Sequence, residues 1–283
     1  MKFGTFISRI RGDSILDDAR KAEAVGFESL WIADHVIMPV NTECAYPYSS
    51  DGRFPAPPDT PFLDPLMTLT YAAAVTGKIR LATGIFVLPM RNAIATAKAV
   101  ATLDYLSQGR VIFGVGVGWL KEEFAAMGAT FDDRALRTRE YLELMKELWS
   151  KPEPIYKGKT VQIEGVRFMP KTVQQPHPPI VFGGTTEPSL KRAVRLGDGW
   201  YGIAHTLDQA RGFIERLREH QRALNRTRPL EITVSLRTGK TLSADDARHL
   251  AELGVDRALV GLPLKALDAA EMDRFRADVM DKM

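Results

Sequence analysis

The chain holds a single cysteine, Cys44, in 283 residues. One thiol excludes an internal disulfide and any metal centre built on cysteine ligands, and such sparing use suits a reducing compartment. No electropositive neighbour in the sequence marks Cys44 as reactive, so it reads as an inert thiol. Long apolar runs are missing too. None reaches the length of a membrane span, and the residues after Met1 show no basic leader, apolar signal core or cleavage-like site. The expectation is a cytoplasmic protein without a membrane partner. An excess of one charge is also absent. Lys and Arg total 38 against 35 Asp and Glu, and the basic residues are scattered along helical segments. No positive stripe tracks a nucleic-acid backbone, although a small anionic ligand fits this balance. His35, His177, His205, His220 and His249 stand at no metal-ligand spacing with carboxylates and form no His-x-x-x-His pair, so no catalytic metal is expected. A G-x-S-x-G elbow and a Walker phosphate loop are likewise not found.

What is present is an ordinary globular composition, 45% apolar and 26% charged, enough for a substantial core. Short β-branched runs alternate with longer amphipathic segments, the order of parallel strands joined by crossover helices. Eight strands are placed near Lys2–Ser8, Ser29–Ala33, Ile79–Val87, Arg110–Val115, Ile180–Gly183, Gly199–Ile203, Glu231–Leu236 and Arg257–Leu262. That number favours an α/β fold of the (β/α)8 TIM-barrel type over an open doubly wound sheet, with residues 1–283 as one domain. Ile15, Ala19, Ala22 and Gly26 share one helical face, and Tyr141, Leu144, Met145, Leu148 and Trp149 share another. Thr206 with Gln209, and Ser243 with Asp246, are spaced as reciprocal N-terminal caps, while Gly109 reads as a helix stop.

Two stretches interrupt the rhythm, and both are read as following C-terminal strand ends, where barrel chemistry sits. Residues 36–64 carry six prolines and the aromatics Tyr46, Tyr48, Phe54 and Phe62, too much proline for a helix and too much aromatic surface for a bare linker. This stretch is expected to be a lid. Residues 155–168 are expected to form a small hairpin insertion, turning at Tyr156-Lys157-Gly158-Lys159, before the fifth strand.

Several segments carry chemistry. Gly183-Gly184-Thr185-Thr186 leaves a strand for a helix, so amides, hydroxyls and the helix N-terminus can converge on a phosphate; a tight turn using glycine for positive φ is the plainer alternative. Gly114, Gly116 and Gly118 strip alternate positions of the fourth strand of side chains, as if a flat ring or phosphate approached its backbone. They lack the G-x-G-x-x-G spacing, which argues against a Rossmann nicotinamide site. Asp34-His35 ends the second strand, placing an acid and an imidazole at the active face, and His35 is the catalytic candidate; the plainer alternative makes Asp34 a loop cap and His35 a cofactor-wall residue with no proton-transfer role. Gly84, within Leu81–Pro89, suggests a bulge beside a ligand.

Taken together, Asp34-His35, LATGIFVLP, ATLDYLSQGRVIFGVGVGW and PKTVQQPHPPIVFGG with RLGDGW resemble the bacterial luciferase-like flavin-dependent oxidoreductase superfamily, over residues 1 to about 262. The GVGVGW and GGTTEPSL segments look most like its branch using the deazaflavin F420. The resemblance implies a barrel with an isoalloxazine or deazaflavin ring in its C-terminal mouth. It implies a bulge there with a non-prolyl cis peptide, which falls on Gly84-Ile85. Cofactor-tail phosphate contacts carry over to Gly116, Val117, Gly118, Gly183, Gly184, Thr185 and Thr186, with Asp34 at the ring and His35 beside its reactive edge. The activity implied is hydride transfer between F420 and a small organic substrate. The alternatives are an FMN-dependent monooxygenase served by a reductase and a non-catalytic flavin-binding protein; relatives often form homodimers. Two departures stand out. Gln108-Gly109 replaces a usual Gly-Gly, and Trp119 stands where the sugar-phosphate dehydrogenases of the family have an acid, which argues against sugar-phosphate oxidation. Glu122 and Glu123, at a helix start, read as dipole partners or surface groups.

Overall fold

The computed structural model describes residues 1–7, 14–49, 51–262 and 266–283. Its strands are short, β-branched or aromatic, and buried along most of their length, the signature of parallel strands covered on both faces. In chain order they are β1 (Lys2–Phe6), β2 (Ser29–Ile32), β3 (Arg80–Thr83), β4 (Phe86–Val87), β5 (Val111–Gly116), the pair β6 (Tyr156–Lys157) and β7 (Gln162–Ile163), then β8 (Ile180–Gly183), β9 (Gly199–Ala204), β10 (Glu231–Leu236) and β11 (Arg257–Val260). The helices are α1 (Ile15–Val25), α2 (Pro65–Ala73), α3 (Ala93–Leu106), α4 (Lys121–Ala126), α5 (Arg134–Ser150), α6 (Glu187–Leu196), α7 (Leu207–Ala223), α8 (Ala244–Glu252) and α9 (Ala269–Asp278).

All barrel pairings are parallel, and β1 joins β11 as well as β2, so the sheet closes with eight strand positions. This is the (β/α)8 barrel expected. The position expected as one strand over Ile79–Val87 is split. β3 pairs β5 through Leu81 with Val111, and β4 resumes the same edge through Phe86 with Val115. Between them the Gly84–Ile85 peptide is cis. The Ser8 end proposed for the first strand lies outside the described residues, as does Ser50 of the lid.

Phe6, Trp31, Ala82, Ile112, Val181, Tyr201 and Leu259 fill the barrel interior, one from each of seven strands. The larger core lies between strands and helices, where the stripe from Tyr141 to Trp149 is buried as expected. Gly26 does not join its proposed stripe: it is exposed and ends α1 at φ 101°, a left-handed conformation that suits glycine, while Val25 packs inward. Gln108 and Gly109 end α3 at φ 57° and 82°. Ser243 and Asp246 form the reciprocal cap, whereas Gln209 turns its side-chain oxygen to the His205 amide and not to Thr206.

The hairpin β6–β7 exists, but its turn spans residues 158–161, and it follows α5 rather than a strand end. It packs on that helix, where Glu140 accepts the Lys159 and Thr160 amides. None of its residues lines the active-face cavity. The expectation that both interruptions sit at C-terminal strand ends therefore fails for this one. Among the described residues no helix is long and apolar enough to cross a membrane.

Candidate active site

The C-terminal mouth of the barrel encloses a cavity of about 510 Å3. Its walls come from residues following β2, β3, β5, β8, β10 and β11 and from Tyr201 and Ile203 within β9, roofed by the lid aromatics Tyr46, Tyr48, Phe54 and Phe62. Of the residues picked out from the sequence, Asp34, His35, Gly84, Ile85, Val117, Gly118, Gly183, Gly184, Thr185 and Thr186 all line it. Gly116 does not.

The alternating glycines have a different visitor from the one expected. A Cβ on Gly114 would stand 1.8 Å from the Thr83 carbonyl oxygen, and one on Gly116 would stand 2.1 Å from Ile85 Cδ1. Gly183 faces the same Ile85 side chain at 2.6 Å. The bare stretch of β5 thus accommodates the protein's own bulge, and Ile85 is seated between two strands as part of the cavity floor. Gly118 at φ 80° and Gly184 at φ 117° need glycine for their backbone conformation.

His35 sits under the lid at 9% exposure. Three rings meet it edge to face: Phe62 at 5.0 Å, Phe54 at 5.1 Å and Trp119 at 6.2 Å between centroids. Phe54 also stacks on Trp119 at 5.8 Å, so lid and barrel share one aromatic cluster. The imidazole Nδ1 lies 3.0 Å from Glu123 Oε2. Glu123 is 2% exposed, and its other oxygen accepts the Val36 amide at 2.6 Å. This overturns the reading of Glu123 as a surface group, although it does stand in the first turn of α4, where a carboxylate favours the helix dipole. Glu122 points the other way and accepts the Glu43 and Cys44 amides of the lid. Neighbours in a short helix thus hold the catalytic candidate and the lid, a division that sequence spacing did not reveal.

Asp34 is buried, with one oxygen accepting the Val87 amide at 2.8 Å and the other paired to Arg91 at 2.5 Å. Burial outweighs both partners and lifts its carboxyl above the usual aspartate range. Arg91 also pairs with Asp64, which caps α2 where the lid ends. Arg91 was missed because nothing in the local pattern separates it from a surface arginine.

At the far end, the Trp200 indole donates to the Gly184 carbonyl at 2.8 Å, and the Gly184 amide donates to Tyr201, fixing the turn before α6. Thr186 precedes α6 without capping it, because its hydroxyl is engaged with Ser189 at 2.9 Å. Arg134 lines this end. Burial and the nearby Arg134 charge hold the Arg192 guanidinium below the usual arginine range, so two cations share this corner. Among the described residues Tyr201 Oη, Ser235 Oγ and Arg237 Nε are buried with no hydrogen bond of full geometry, although the Ser235 and Arg237 side chains lie beside the Tyr201 hydroxyl. Burial pushes the Tyr48 and Tyr201 hydroxyls up, so both stay protonated donors.

A closed parallel barrel with a covered, ring-lined cavity at the C-terminal ends of its strands has the architecture shared by barrel enzymes. The luciferase-like monooxygenase model matches residues 1–279, and the chain belongs to that family of oxidoreductases. An uncharacterized protein of Mycobacterium tuberculosis is 36% identical over 270 residues, 94% of each chain. The F420-dependent glucose-6-phosphate dehydrogenase of Kineococcus radiotolerans is 30% identical over 254 residues, 85% of this chain and 69% of that one. The FMNH2-dependent dimethylsulfone monooxygenase of Pseudomonas putida is 28% identical over 156 residues, 54% of this chain and 43% of that one. In fold, the F420-dependent tetrahydromethanopterin reductase of Methanopyrus kandleri superposes with a TM-score of 0.78 at 18% identity, covering 99% of this chain and 98% of that one.

Proposed function

We propose that the protein is an F420-dependent oxidoreductase that moves a hydride between the deazaflavin and a small organic substrate, with His35 as the proton-transfer group. The observation that carries this reading is the placement of His35 in the wall of a lidded cavity that ends at the uncapped N-terminus of α6. Such a cavity accepts a planar ring at one end and its phosphate at the other. The similarity to an F420-dependent dehydrogenase extends over most of the chain, whereas that to an FMNH2-dependent monooxygenase covers about half.

The residues fit such a group. The Tyr201 hydroxyl and the Arg237 side chain, both in the cavity wall, supply polar contacts for a ring edge. Thr185, Thr186 and Arg134 line the cavity beside α6 and supply donors and positive charge for a phosphate. Gly84-Ile85 provides a flat apolar backing. When bound, the deazaflavin supplies a two-electron hydride acceptor or donor. The lid rings exclude water above it. His35 accepts a proton from the substrate when hydride leaves it and returns that proton in reverse, so charge and atoms balance. The aromatic cluster around His35 and the absence of an acid at Trp119 favour a neutral, largely apolar substrate over a sugar phosphate.

Equilibrium titration of purified apoprotein with oxidised F420 and, separately, FMN at matched salt and pH tests the reading. Tighter binding of F420 is the expected result. Preference for FMN would point to oxygen-dependent chemistry with a partner reductase, and binding of neither would remove the cofactor assignment.

A further inference from the structure

We infer that Glu123 is the positioning residue of the site, holding His35 as the tautomer with a proton on Nδ1 and a bare Nε2 available to the cavity. The inference deepens the proton-transfer role proposed above and rests on it for its catalytic meaning, though not for its geometry. Glu123 Oε1 accepts the Val36 amide at 2.6 Å and faces the Ile37 amide at 3.4 Å, so the carboxylate cannot rotate away. Its Oε2 is then left as the acceptor for Nδ1 at 3.0 Å. A carboxylate with both oxygens accepting takes the proton-bearing nitrogen, and a neutral imidazole has only one. Phe54, Phe62 and Trp119, all edge to face with the ring, oppose the flip that would exchange the nitrogens. Among the described residues the only hydrogen bond to the ring nitrogens is the one at Nδ1, and His35 lines the cavity. When Nε2 takes a proton, the imidazolium formed is already paired with Glu123, the division of labour that a buried acid performs behind a catalytic histidine.

The other oxygen of the same carboxylate binds the first residues of the lid, so His35 and the lid root share one support. Loosening Glu123 disturbs both, whereas Glu123→Gln preserves shape and alters only the proton pattern. Its side-chain oxygen can keep the Val36 amide, and its NH2 must then donate to Nδ1, moving the ring proton to Nε2.

The test is ring-15N histidine NMR on the full chain at pH 9, above the ordinary histidine range, with His35 assigned by loss of its signals in His35→Gln. The wild type is expected to show Nδ1 protonated and Nε2 bare, and Glu123→Gln the reverse. A wild type with Nε2 protonated, or an unchanged pattern in Glu123→Gln, would overturn the inference. Should Glu123→Gln not fold, Glu123→Asp, which withdraws the acceptor by one methylene, is expected to give a mixture of tautomers; a single wild-type pattern there overturns it equally. The readout needs no cofactor. Failure of F420 and FMN binding would therefore sink the functional proposal and leave this result standing, and the converse also holds.

Discussion

At the scale of single residues, the glycines of β5 show how a correct signal can carry the wrong cause. Their alternation announced a close approach to the backbone, but the approaching atoms belong to Thr83 and Ile85. Gly114→Ala is expected to destabilise by about 3 kcal/mol or to prevent folding, because a Cβ meets backbone that cannot step aside. Gly116→Ala is expected to cost about 1–2 kcal/mol, and Ile85→Ala in the same chain to recover part of it, since the obstacle is a side-chain end. Urea unfolding of the two singles and the double variant measures the coupling; strict additivity would show that Ile85 does not fill the space. His35 was legible because a histidine ending a barrel strand is seldom idle. Its partner Glu123, 88 positions away in sequence, was not, because only the fold brings them together. His35→Gln is expected to lower turnover by about 10²–10⁴-fold in an anaerobic assay following the F420 chromophore, while oxidised F420 still binds. Retention of full turnover would remove the assignment.

At the scale of elements, the lid and α4 act as one unit. Proline and aromatic content identified residues 36–64, and their rings do close over His35. What fastens the lid could not be read. Glu122 holds the Glu43 and Cys44 amides and Arg91 holds Asp64, contacts made across elements by residues that look like surface charges locally. Hydrogen bonds from the two amides keep the Glu122 carboxyl below the usual glutamate range although burial opposes them. Glu122→Ala is expected to free the middle of the lid without unfolding the barrel. Limited proteolysis should then cut within residues 43–53 several-fold faster than in the wild type, with the thermal midpoint within a few degrees. Equal cleavage rates would show that the aromatic cluster alone holds the lid. The hairpin was found from its turn residues yet placed after a strand end, although the helical stripe from Tyr141 to Trp149 already stood between the fourth strand and the insertion.

At the scale of the whole molecule, closure of the barrel is locked at the end opposite the cavity. Arg257 on β11 is fully buried and pairs with Glu28, just before β2, and with Glu231 on β10, while Lys2 on β1 also reaches Glu231. Burial pushes both carboxyls up, but the Arg257 charge and hydrogen bonds win and hold Glu28 and Glu231 below the usual range. A lowered folded pKa contributes stability that is full above the unfolded glutamate value near 4.3 and is lost as pH falls through the folded one. Arg257→Met is expected to cost about 2–4 kcal/mol at pH 7, moderated by the partial exposure of both glutamates. The gap from the wild type should narrow below about pH 4, as the carboxylates that Arg257 holds are protonated. Urea unfolding at pH 7 and pH 3.5 reads this, and a gap that does not depend on pH would assign the cost to packing.

By itself the sequence determined the alternation of strands and helices, the closed barrel, the lid and the strand ends that face the cavity, because these follow from local periodicity, proline and glycine content, and short motifs. The tertiary structure alone decided that Ile85 occupies the space bared by β5, that Glu123 meets His35, that Arg91 ties Asp34 to the end of the lid, and that Arg257 gathers three strand starts. Each of these is a contact between residues distant in sequence and ordinary in type. Their distinction lies in burial and partner, which a chain acquires only when its barrel closes.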